Sequence, residues 1–506
     1  MGKAIPIMIQ GTSSDAGKSV IATAFCRIFK QDGFLTAPFK SQNMALNSYV
    51  TVDGKEIGRA QGVQAEAAGI DATTEMNPIL IKPTRDLESQ IVVNGEPFAN
   101  MKAMAYRSDF FAQGLQVIKQ SYHTLSQIYE RIVIEGAGSP AEINLNDREL
   151  VNMRVAKLTH SPVILVADIE RGGVFASLVG TLQLLDEEDR KRVIGVIINK
   201  FRGDLALLKP GLAWFERYTG KPVLGVIPFL SELHIDAEDS LILPQLKCTT
   251  SESKEIDIAV IQYPKISNFT DVDPFRVEPD CQVRHVTHAN ELGEPDLVIF
   301  PGSKNTMEDL LYLRTLGLEE RLGSLYQKRR SMFVGICGGY QMLGKEIHDP
   351  DHVESPHARM QGFGWIPMKT QLETKKITRL STGQVITFGT PIPVKGYEIH
   401  MGISEKLELV PDLIQMNDHM EGTYVPETNV LGTYFHGIFH NDEFRKTVLN
   451  RIRLKKGLPI MEQRPSFLQL REQSFDILAD HVRKHVQMEF IYEQMDAFHK
   501  REETLV

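Results

Sequence analysis

The chain has 506 residues, of which 42% are hydrophobic and 24% are charged, and its formal net charge is −9. The length predicts two or three domains, and the composition is ordinary for a globular enzyme. The acidic balance disfavours a nucleic-acid partner but leaves room for a local basic pocket that binds a polycarboxylate. No apolar run approaches the roughly 18 residues of a membrane helix and no secretory signal is apparent, so we expect a cytoplasmic protein without a membrane partner. Four widely spaced cysteines argue against a disulfide framework or a zinc site.

The N-terminal segment carries a phosphate-binding pattern. An apolar run, the sequence GTSSDAGKSV and an amphipathic pattern predict a strand, a loop and a helix. The loop ends in GKS, which offers backbone N–H groups and a lysine for phosphate and a hydroxyl for Mg²⁺. Five residues separate its two glycines, a spacing that resembles dethiobiotin synthetase and related ATPases. We expect ATP to bind at Gly11, Thr12, Asp15, Ala16, Gly17, Lys18 and Ser19.

Further candidate ligands follow other apolar runs of the same region. Lys40 is a candidate for a second phosphate contact, with an ordinary solvated lysine as the alternative. Glu135 ends the run RIVIE, where it is expected to bind Mg²⁺ together with Ser19 or else to cap the next turn. Asn199 resembles the nucleobase-contacting position of P-loop proteins, with an exposed turn as the alternative. Candidates for hydrogen bonds to a substrate are Gln42, Asn43, Asn47 and Ser48.

The order of patterns along the chain predicts the domain organisation. Alternating strand and helix patterns predict a doubly wound parallel sheet in an ATP-binding domain at 1–240. A polar stretch without periodicity predicts a linker at 241–255, and a second α/β series predicts another domain at 256–450. Apolar residues at helical intervals predict that 451–506 forms helices packed on this second domain, with a partner-binding helix as the alternative.

The sequence FVGICGGYQMLG places Cys337 between a strand pattern and a helix pattern. Gly338 and Gly339 permit a sharp turn directly after it. At such an elbow the helix N-terminus stabilises a thiolate, and the backbone N–H of Gly338 is placed to hold an oxyanion. Cys337 is therefore the candidate nucleophile, and a buried structural cysteine is the alternative that the glycines disfavour.

A nucleophilic cysteine needs a base, and His436 in GTYFHGIFHND is the strongest candidate. The pair resembles the class I glutamine amidotransferase family. This resemblance implies that Cys337 forms a glutamyl thioester and that His436 passes a proton to departing ammonia. It also implies that Gly302 and Ser303 contribute to the oxyanion hole, and His400 ranks behind His436 as the base. Most members carry a glutamate two residues after the histidine, where this chain has isoleucine, so the group that orients His436 is left open.

Six motifs in order resemble the cobyric acid synthase family of the cobalamin pathway, over nearly the whole chain. They are GTSSDAGKS, PFKSQNMALNS, IEGAGSPAEINL, FPGSKNT, ICGGYQMLG and YFHGIFH. The resemblance implies that ATP, Mg²⁺ and glutamine are used to amidate the b, d, e and g carboxylates of the corrinoid adenosylcobyrinic acid a,c-diamide. The residues themselves support only the two half-reactions, which are ammonia release and carboxylate activation.

Two alternatives to this function stay open from sequence. The first is the sister family, cobyrinic acid a,c-diamide synthase, whose acidic GPDYIDP-like motif is absent where KSQNMALNS stands. The second is a non-catalytic nucleotide switch of the partitioning-ATPase type. The sequence does not indicate the oligomeric state or the residues that contact the corrinoid.

Overall fold

Two six-stranded sheets, one in each half of the chain, organise the protein. The computed structural model describes residues 4–85, 87–230, 233–235 and 254–505, so nearly all of the linker predicted at 241–255 lies outside the described residues. The strands of the N-terminal half are β1 (Ile5–Gly11), β2 (Thr36–Phe39), β3 (Gln42–Met44), β4 (Ser48–Val50), β5 (Glu56–Gly58), β6 (Ile79–Arg85), β7 (Glu88–Val93), β8 (Glu96–Lys102), β9 (Arg131–Glu135), β10 (Val163–Asp168), β11 (Val193–Phe201) and β12 (Val223–Pro228). Its helices are α1 (Lys18–Gln31), α2 (Arg59–Ala68), α3 (Ala103–Ala105), α4 (Phe111–Ile128), α5 (Met153–Leu158), α6 (Val174–Leu184), α7 (Glu187–Arg192) and α8 (Leu205–Thr219).

The N-terminal sheet is entirely parallel, with the strand order β12-β11-β10-β1-β9-β2. Its central strands are continuous buried apolar runs, as expected for a sheet covered by helices on both faces. β1 lies between β9 and β10, so the residues that follow these three strands meet at one edge of the sheet. The predicted doubly wound α/β fold of this half is confirmed.

The C-terminal half contains a second parallel sheet and a long hairpin. Its strands are β13 (Ile256–Ile261), β14 (Ile266–Ser267), β15 (Cys281–Val286), β16 (Leu297–Phe300), β17 (Gly302–Ser303), β18 (Met332–Ile336), β19 (Glu346–His348), β20 (Arg359–Gln361), β21 (Met368–Val385), β22 (Ile392–Lys406), β23 (Ile414–Met416), β24 (Met420–Glu421), β25 (Thr423–Val425), β26 (Val430–Thr433) and β27 (Phe435–His436). Its helices are α9 (Thr306–Thr315), α10 (Leu318–Lys328), α11 (Gly338–Leu343) and α12 (Asp442–Lys455), and they are followed by α13 (Phe467–His485) and α14 (Met488–Leu505). The order β15-β13-β16-β18-β26-β25 is parallel except for β25.

Each half carries further strands besides its six-stranded sheet. In the N-terminal half, β3, β6, β7 and β8 form a small sheet beside the main one. In the C-terminal half, β21 and β22 pair as a hairpin whose register breaks between Leu372 and Ile377. Lys376 lies in this break and forms an ion pair with Glu56 of the N-terminal half. Within the described ranges, none of the helices combines the length and apolar character that a membrane span needs.

The two C-terminal helices do not pack as predicted. Sequence analysis placed 451–506 on the second domain, and α12 does lie there, but α13 and α14 pack on the N-terminal domain. Phe475 and Ala479 of α13 belong to the same apolar core as Phe25 and Ile28 of α1. The amphipathic pattern correctly predicts that one face of the helix is buried. It does not indicate which surface of the protein covers that face.

Ion pairs fix this docking. Arg27 of α1 binds Glu472 and Asp476 of α13, each at 2.7 Å. Arg471 of α13 lies 2.7 Å from Glu66 of α2. α1 begins directly after the phosphate-binding loop, and the C-terminal helices therefore support the helix that carries this loop.

We predict that Phe475→Ala destabilises the N-terminal domain by about 3–5 kcal/mol, because Phe475 is 1% exposed and its loss leaves a cavity against α1. Hydrogen exchange should show faster exchange of the α1 amides and unchanged exchange of the β18 amides. Leu468→Ala is the control, because Leu468 is 59% exposed on the same helix. Faster exchange confined to the C-terminal sheet would contradict this docking.

Candidate active sites

The phosphate-binding loop lies between β1 and α1. Gly17 precedes α1 with a φ of 100°, and a Cβ atom there would lie 2.1 Å from Nδ2 of Asn199. The position therefore requires glycine for both its conformation and its space. Lys18 Nζ donates to the carbonyl oxygens of Ser13, at 2.9 Å, and Gly138, at 3.2 Å, so its ammonium lies across the loop. When a phosphate binds here, its oxygens would replace these two carbonyl oxygens as acceptors for Lys18.

The residues predicted after β11 contact the same loop. Asn199 Nδ2 donates to the carbonyl oxygen of Ala16 at 3.0 Å, and Lys200 Nζ donates to that of Asp15 at 2.8 Å. Asp15 has a φ of 57°, a left-handed conformation that costs free energy in a residue other than glycine. Asn199 and Lys200 thus hold the loop in shape, and a contact of Asn199 with the nucleobase stays a prediction.

Glu135 is buried at the end of β9, 1% exposed, and is surrounded by donors. Its Oε1 accepts from Ser19 Oγ at 2.9 Å and from Lys40 Nζ at 2.8 Å, and its Oε2 accepts from Gln64 Nε2 at 2.6 Å. Lys40 thus forms an ion pair with Glu135, and its contact with phosphate stays a prediction. A hydroxyl and a carboxylate within hydrogen-bond distance beside a phosphate loop fit Mg²⁺, which takes few protein ligands and completes its shell with phosphate and water.

The polar segment after β2 faces the interior. Asn43 Nδ2 donates to Gln61 at 3.1 Å, and Ser48 Oγ donates to Glu56 at 2.6 Å. The backbone N–H of Ser48 donates to the side chain of Asn268 in the C-terminal domain at 2.9 Å. Of the residues predicted as substrate contacts, Ser48 therefore lies at the domain interface.

Cys337 forms a strained elbow between β18 and α11. Its φ of 53° and ψ of −110° lie outside the regions that non-glycine residues favour, which is typical of side chains presented for chemistry. Gly339 packs so closely that a Cβ there would lie 2.0 Å from the carbonyl oxygen of Phe300. The glycines after Cys337 are thus required by the approach of β16 to the elbow.

The residues predicted for the oxyanion hole lie beside the elbow. A Cβ at Gly338 would lie 2.7 Å from the backbone nitrogen of Ser303. A Cβ at Gly302 would lie 3.4 Å from Cε1 of His436, so β17 lies close to both the elbow and this histidine. Ser303 Oγ is held by Asp309 at 2.6 Å. The arrangement fits an oxyanion hole made by backbone N–H groups, and this role stays a prediction.

Asp271 is the group that orients His436. Nδ1 of His436 donates to Oδ2 of Asp271 at 2.7 Å, and the backbone N–H of Gly437 donates to Oδ1 at 2.8 Å. The imidazole also stacks on Tyr397, with ring centroids 5.0 Å apart. Asp271 lies in a 3₁₀ helix, Phe269–Phe275, after β14. It is far from His436 in sequence and belongs to no motif, so sequence analysis missed it.

The contact with Asp271 sets the charge of His436. Burial alone would lower the pKa of His436, but the charge and hydrogen bond of Asp271, together with nearby Cys337, raise this pKa to about 10. Nε2 of His436 has no hydrogen-bond partner among the described residues. The raised pKa favours the protonated ring, which has a proton available for a leaving group.

His400, the second histidine candidate, lines the pocket that contains Cys337. Its Nδ1 lies 2.7 Å from the carbonyl oxygen of Gly402, and its ring stacks on Tyr434 with centroids 3.9 Å apart. The nearest carboxylate is that of Glu398, 3.9 Å from its Nε2. His400 thus lacks the close carboxylate contact that His436 has, and the assignment of His436 as the base stays the better-supported prediction.

Comparisons with known proteins match a family model to each half of the chain. Residues 7–242 match the family described as CobQ/CobB/MinD/ParA nucleotide binding domain, and residues 257–444 match the CobB/CobQ-like glutamine amidotransferase domain. A cobyric acid synthase from Geobacillus sp. (strain WCH70) is 63% identical over 99% of this chain and 100% of its own length. One from Geobacillus thermodenitrificans (strain NG80-2) is 62% identical over the same shares, and one from Clostridium botulinum (strain ATCC 19397 / Type A) is 48% identical over 96% of this chain and 98% of its own.

A nucleotide-binding domain joined to a glutamine amidotransferase domain defines a glutamine-dependent amidoligase. Within this class the chain belongs to the cobyric acid synthase family. The chain is thus an enzyme of cobalamin biosynthesis, and the alternative of a non-catalytic nucleotide switch is wrong.

We predict that Asp271→Asn lowers kcat for glutamine hydrolysis roughly 100-fold or more, because the ring of His436 loses its orientation and its stabilised charge. The pKa of His436 should fall, so that its ring is no longer mainly protonated at neutral pH. Steady-state kinetics and ¹⁵N NMR of the labelled ring measure the two effects. Asp273→Asn, on the same 3₁₀ helix, is the control. An unchanged kcat in Asp271→Asn would refute the positioning role.

Proposed function

We propose that this protein uses ATP and glutamine to amidate the b, d, e and g carboxylates of adenosylcobyrinic acid a,c-diamide, which gives adenosylcobyric acid. The observation that carries the proposal is the presence, in one chain, of the Cys337 elbow with its charged histidine and of a P-loop beside Glu135. The corrinoid substrate rests on the similarity to proteins named cobyric acid synthase. A cytoplasmic location is part of this proposal.

The glutaminase half would proceed through Cys337. The thiolate attacks the side-chain carbonyl carbon of glutamine, and the backbone N–H groups near Gly338 and Ser303 stabilise the oxyanion. His436 donates its proton to the leaving nitrogen, so that ammonia departs and a thioester remains. Water, deprotonated by the now neutral His436, then attacks the thioester and releases glutamate. Asp271 keeps the ring aligned in both steps.

The synthetase half would use the P-loop. A substrate carboxylate oxygen attacks the γ-phosphorus of ATP, ADP leaves, and an acyl phosphate forms. Lys18 is placed to offset the negative charge that accumulates on the phosphates. Ser19 and Glu135 would hold Mg²⁺, which supplies Lewis-acid stabilisation of the phosphates when bound. Ammonia then attacks the acyl carbon and the carbon–oxygen bond to phosphate breaks. Loss of a proton from the nitrogen gives the amide and inorganic phosphate.

A row of buried polar groups supports transfer of ammonia between the halves. Glu56 lies at the interface. Two residues after it, the backbone N–H of Gly58 donates to the side-chain oxygen of Asn77 at 2.9 Å. Asn77 Nδ2 donates to the carbonyl oxygen of Lys40 at 3.0 Å, and Lys40 binds Glu135. Along this row, Asn47, Gln61 and Gln64 each have a buried polar atom that lacks a hydrogen-bond partner among the described residues. Such atoms are costly unless a small polar molecule visits them.

The test is mass spectrometry of the corrinoid after incubation with ATP, Mg²⁺ and a nitrogen donor. With glutamine, we expect four successive carboxylate-to-amide mass changes. Cys337→Ala should give none with glutamine and all four with added ammonia, because only the thiol-dependent half is lost. Cys281→Ala, a buried cysteine of the same domain, is the control and should behave as the unaltered protein.

Two outcomes would contradict the proposal. If the unaltered protein hydrolyses glutamine but leaves the corrinoid mass unchanged, its substrate is a different carboxylate. If Cys337→Ala still uses glutamine, the nucleophile has been assigned wrongly.

A further inference from the structure

The pocket at Cys337 contains more charge than the thiol chemistry needs. Besides the elbow and β17, it is lined by Lys82, Lys304, Lys376 and Glu354. Lys82 comes from β6 of the N-terminal domain, and the others come from the C-terminal domain. With Glu56, which contacts two of these lysines, the cluster has three lysines and two glutamates. The cluster therefore presents both signs of charge, which suits a ligand that carries both.

Two of the three lysines are already engaged. Lys82 Nζ lies 2.5 Å from Oε1 of Glu56, and Lys376 binds the other oxygen of the same carboxylate. Lys82 also donates to Ser48 Oγ at 2.7 Å. The carboxylate of Glu56 is thus shared, and these two lysines serve the domain interface.

Lys304 differs from them. It is 9% exposed, and among the described residues its ammonium makes no hydrogen bond and has no carboxylate within 4.0 Å. Burial lowers the pKa of Lys304, and the charge that most opposes this effect is that of Glu354. An ammonium held in a protein interior without a partner is costly, and a ligand carboxylate would relieve that cost.

Glu354 is the matching acid. Its Oε2 accepts a long hydrogen bond of 3.3 Å from the backbone N–H of Thr306, which leaves its other oxygen available to a donor in the pocket. Burial raises the pKa of Glu354, and Lys304 opposes that rise. The two side chains line the same pocket and influence each other's pKa, and they form no ion pair with each other among the described residues.

Free glutamine is such a group. Its side-chain amide must reach the thiol, and a short methylene chain then places an α-carboxylate and an α-ammonium a few ångströms away. We propose that Lys304 binds the α-carboxylate of glutamine and that Glu354 binds its α-ammonium. The assignment rests on the proposed glutaminase half-reaction. Lys304 and Glu354 together would then select free glutamine over amides that lack a zwitterionic end.

The first experiment measures binding without chemistry. Isothermal titration calorimetry of glutamine with Cys337→Ala gives a reference Kd, and adding Lys304→Met or Glu354→Gln should raise it roughly 10- to 100-fold, as for loss of a charge-assisted contact. Lys345→Met is the matched control, because Lys345 pairs with Glu408 on the surface of the same domain and should leave Kd unchanged. An unchanged Kd in Lys304→Met would overturn the assignment.

The second experiment separates direct contact from a structural effect. With the thiol present, 4-aminobutanamide lacks the α-carboxylate and glutaramate lacks the α-ammonium. Lys304→Met should lose preference for glutamine over 4-aminobutanamide but keep it over glutaramate, and Glu354→Gln should show the reverse. Alkylation of Cys337 by iodoacetamide should be unaffected in both. An equal loss of kcat/KM for all three amides would overturn the proposal.

The two proposals can fail separately. Suppose that both variants raise Kd and lose opposite amide preferences while no corrinoid is amidated. The assignment of Lys304 and Glu354 then stands and the proposed function falls. If amidation proceeds with glutamine while neither variant changes Kd, the proposed function stands and the assignment falls.

Discussion

The carboxylate of Glu56 is the contact on which the arrangement of the two active sites depends. It is 1% exposed and binds Lys82 of its own domain and Lys376 of the other. Burial would raise the pKa of Glu56, but the two lysines outweigh burial and lower it. Burial lowers the pKa of Lys376 to about 7, against the attraction of Glu56. A buried network of this kind adds little net stability, yet removing one member leaves uncompensated charge, so it specifies one docking geometry of the domains.

This docking geometry has consequences on both sides of the interface. Lys82 extends from the small N-terminal sheet into the pocket of Cys337. The backbone of Ser48 holds Asn268, which has a φ of 50° and lies three residues before Asp271. The segment that orients His436 is therefore anchored by the N-terminal domain. The pocket of Cys337 is thus lined by residues of both domains.

The parts of the site that are local in sequence could be predicted, and the parts made by distant residues could not. The phosphate loop and the Cys337 elbow can be recognised from sequence because each needs glycine beside its functional residue. Gly17 adopts a left-handed backbone, and Gly339 allows close packing. Asp271 gave no such signal, since an aspartate in a 3₁₀ turn has many ordinary uses. Lys376 reaches the interface only because the β21 register breaks, and such a break depends on tertiary packing. For α13, the sequence indicates which helix face is buried but not that this face packs on the N-terminal domain.

The central claim is that the nitrogen passes from Cys337 to the synthetase site inside the protein. The most direct measurement supplies glutamine labelled with ¹⁵N in its side-chain amide, together with an excess of unlabelled ammonium in solution, and determines the isotope content of the newly formed corrinoid amides. We expect these amides to carry ¹⁵N despite the excess of unlabelled ammonium. Amides whose ¹⁵N content is diluted to that of the solution would show that ammonia leaves the protein first, and would contradict internal transfer.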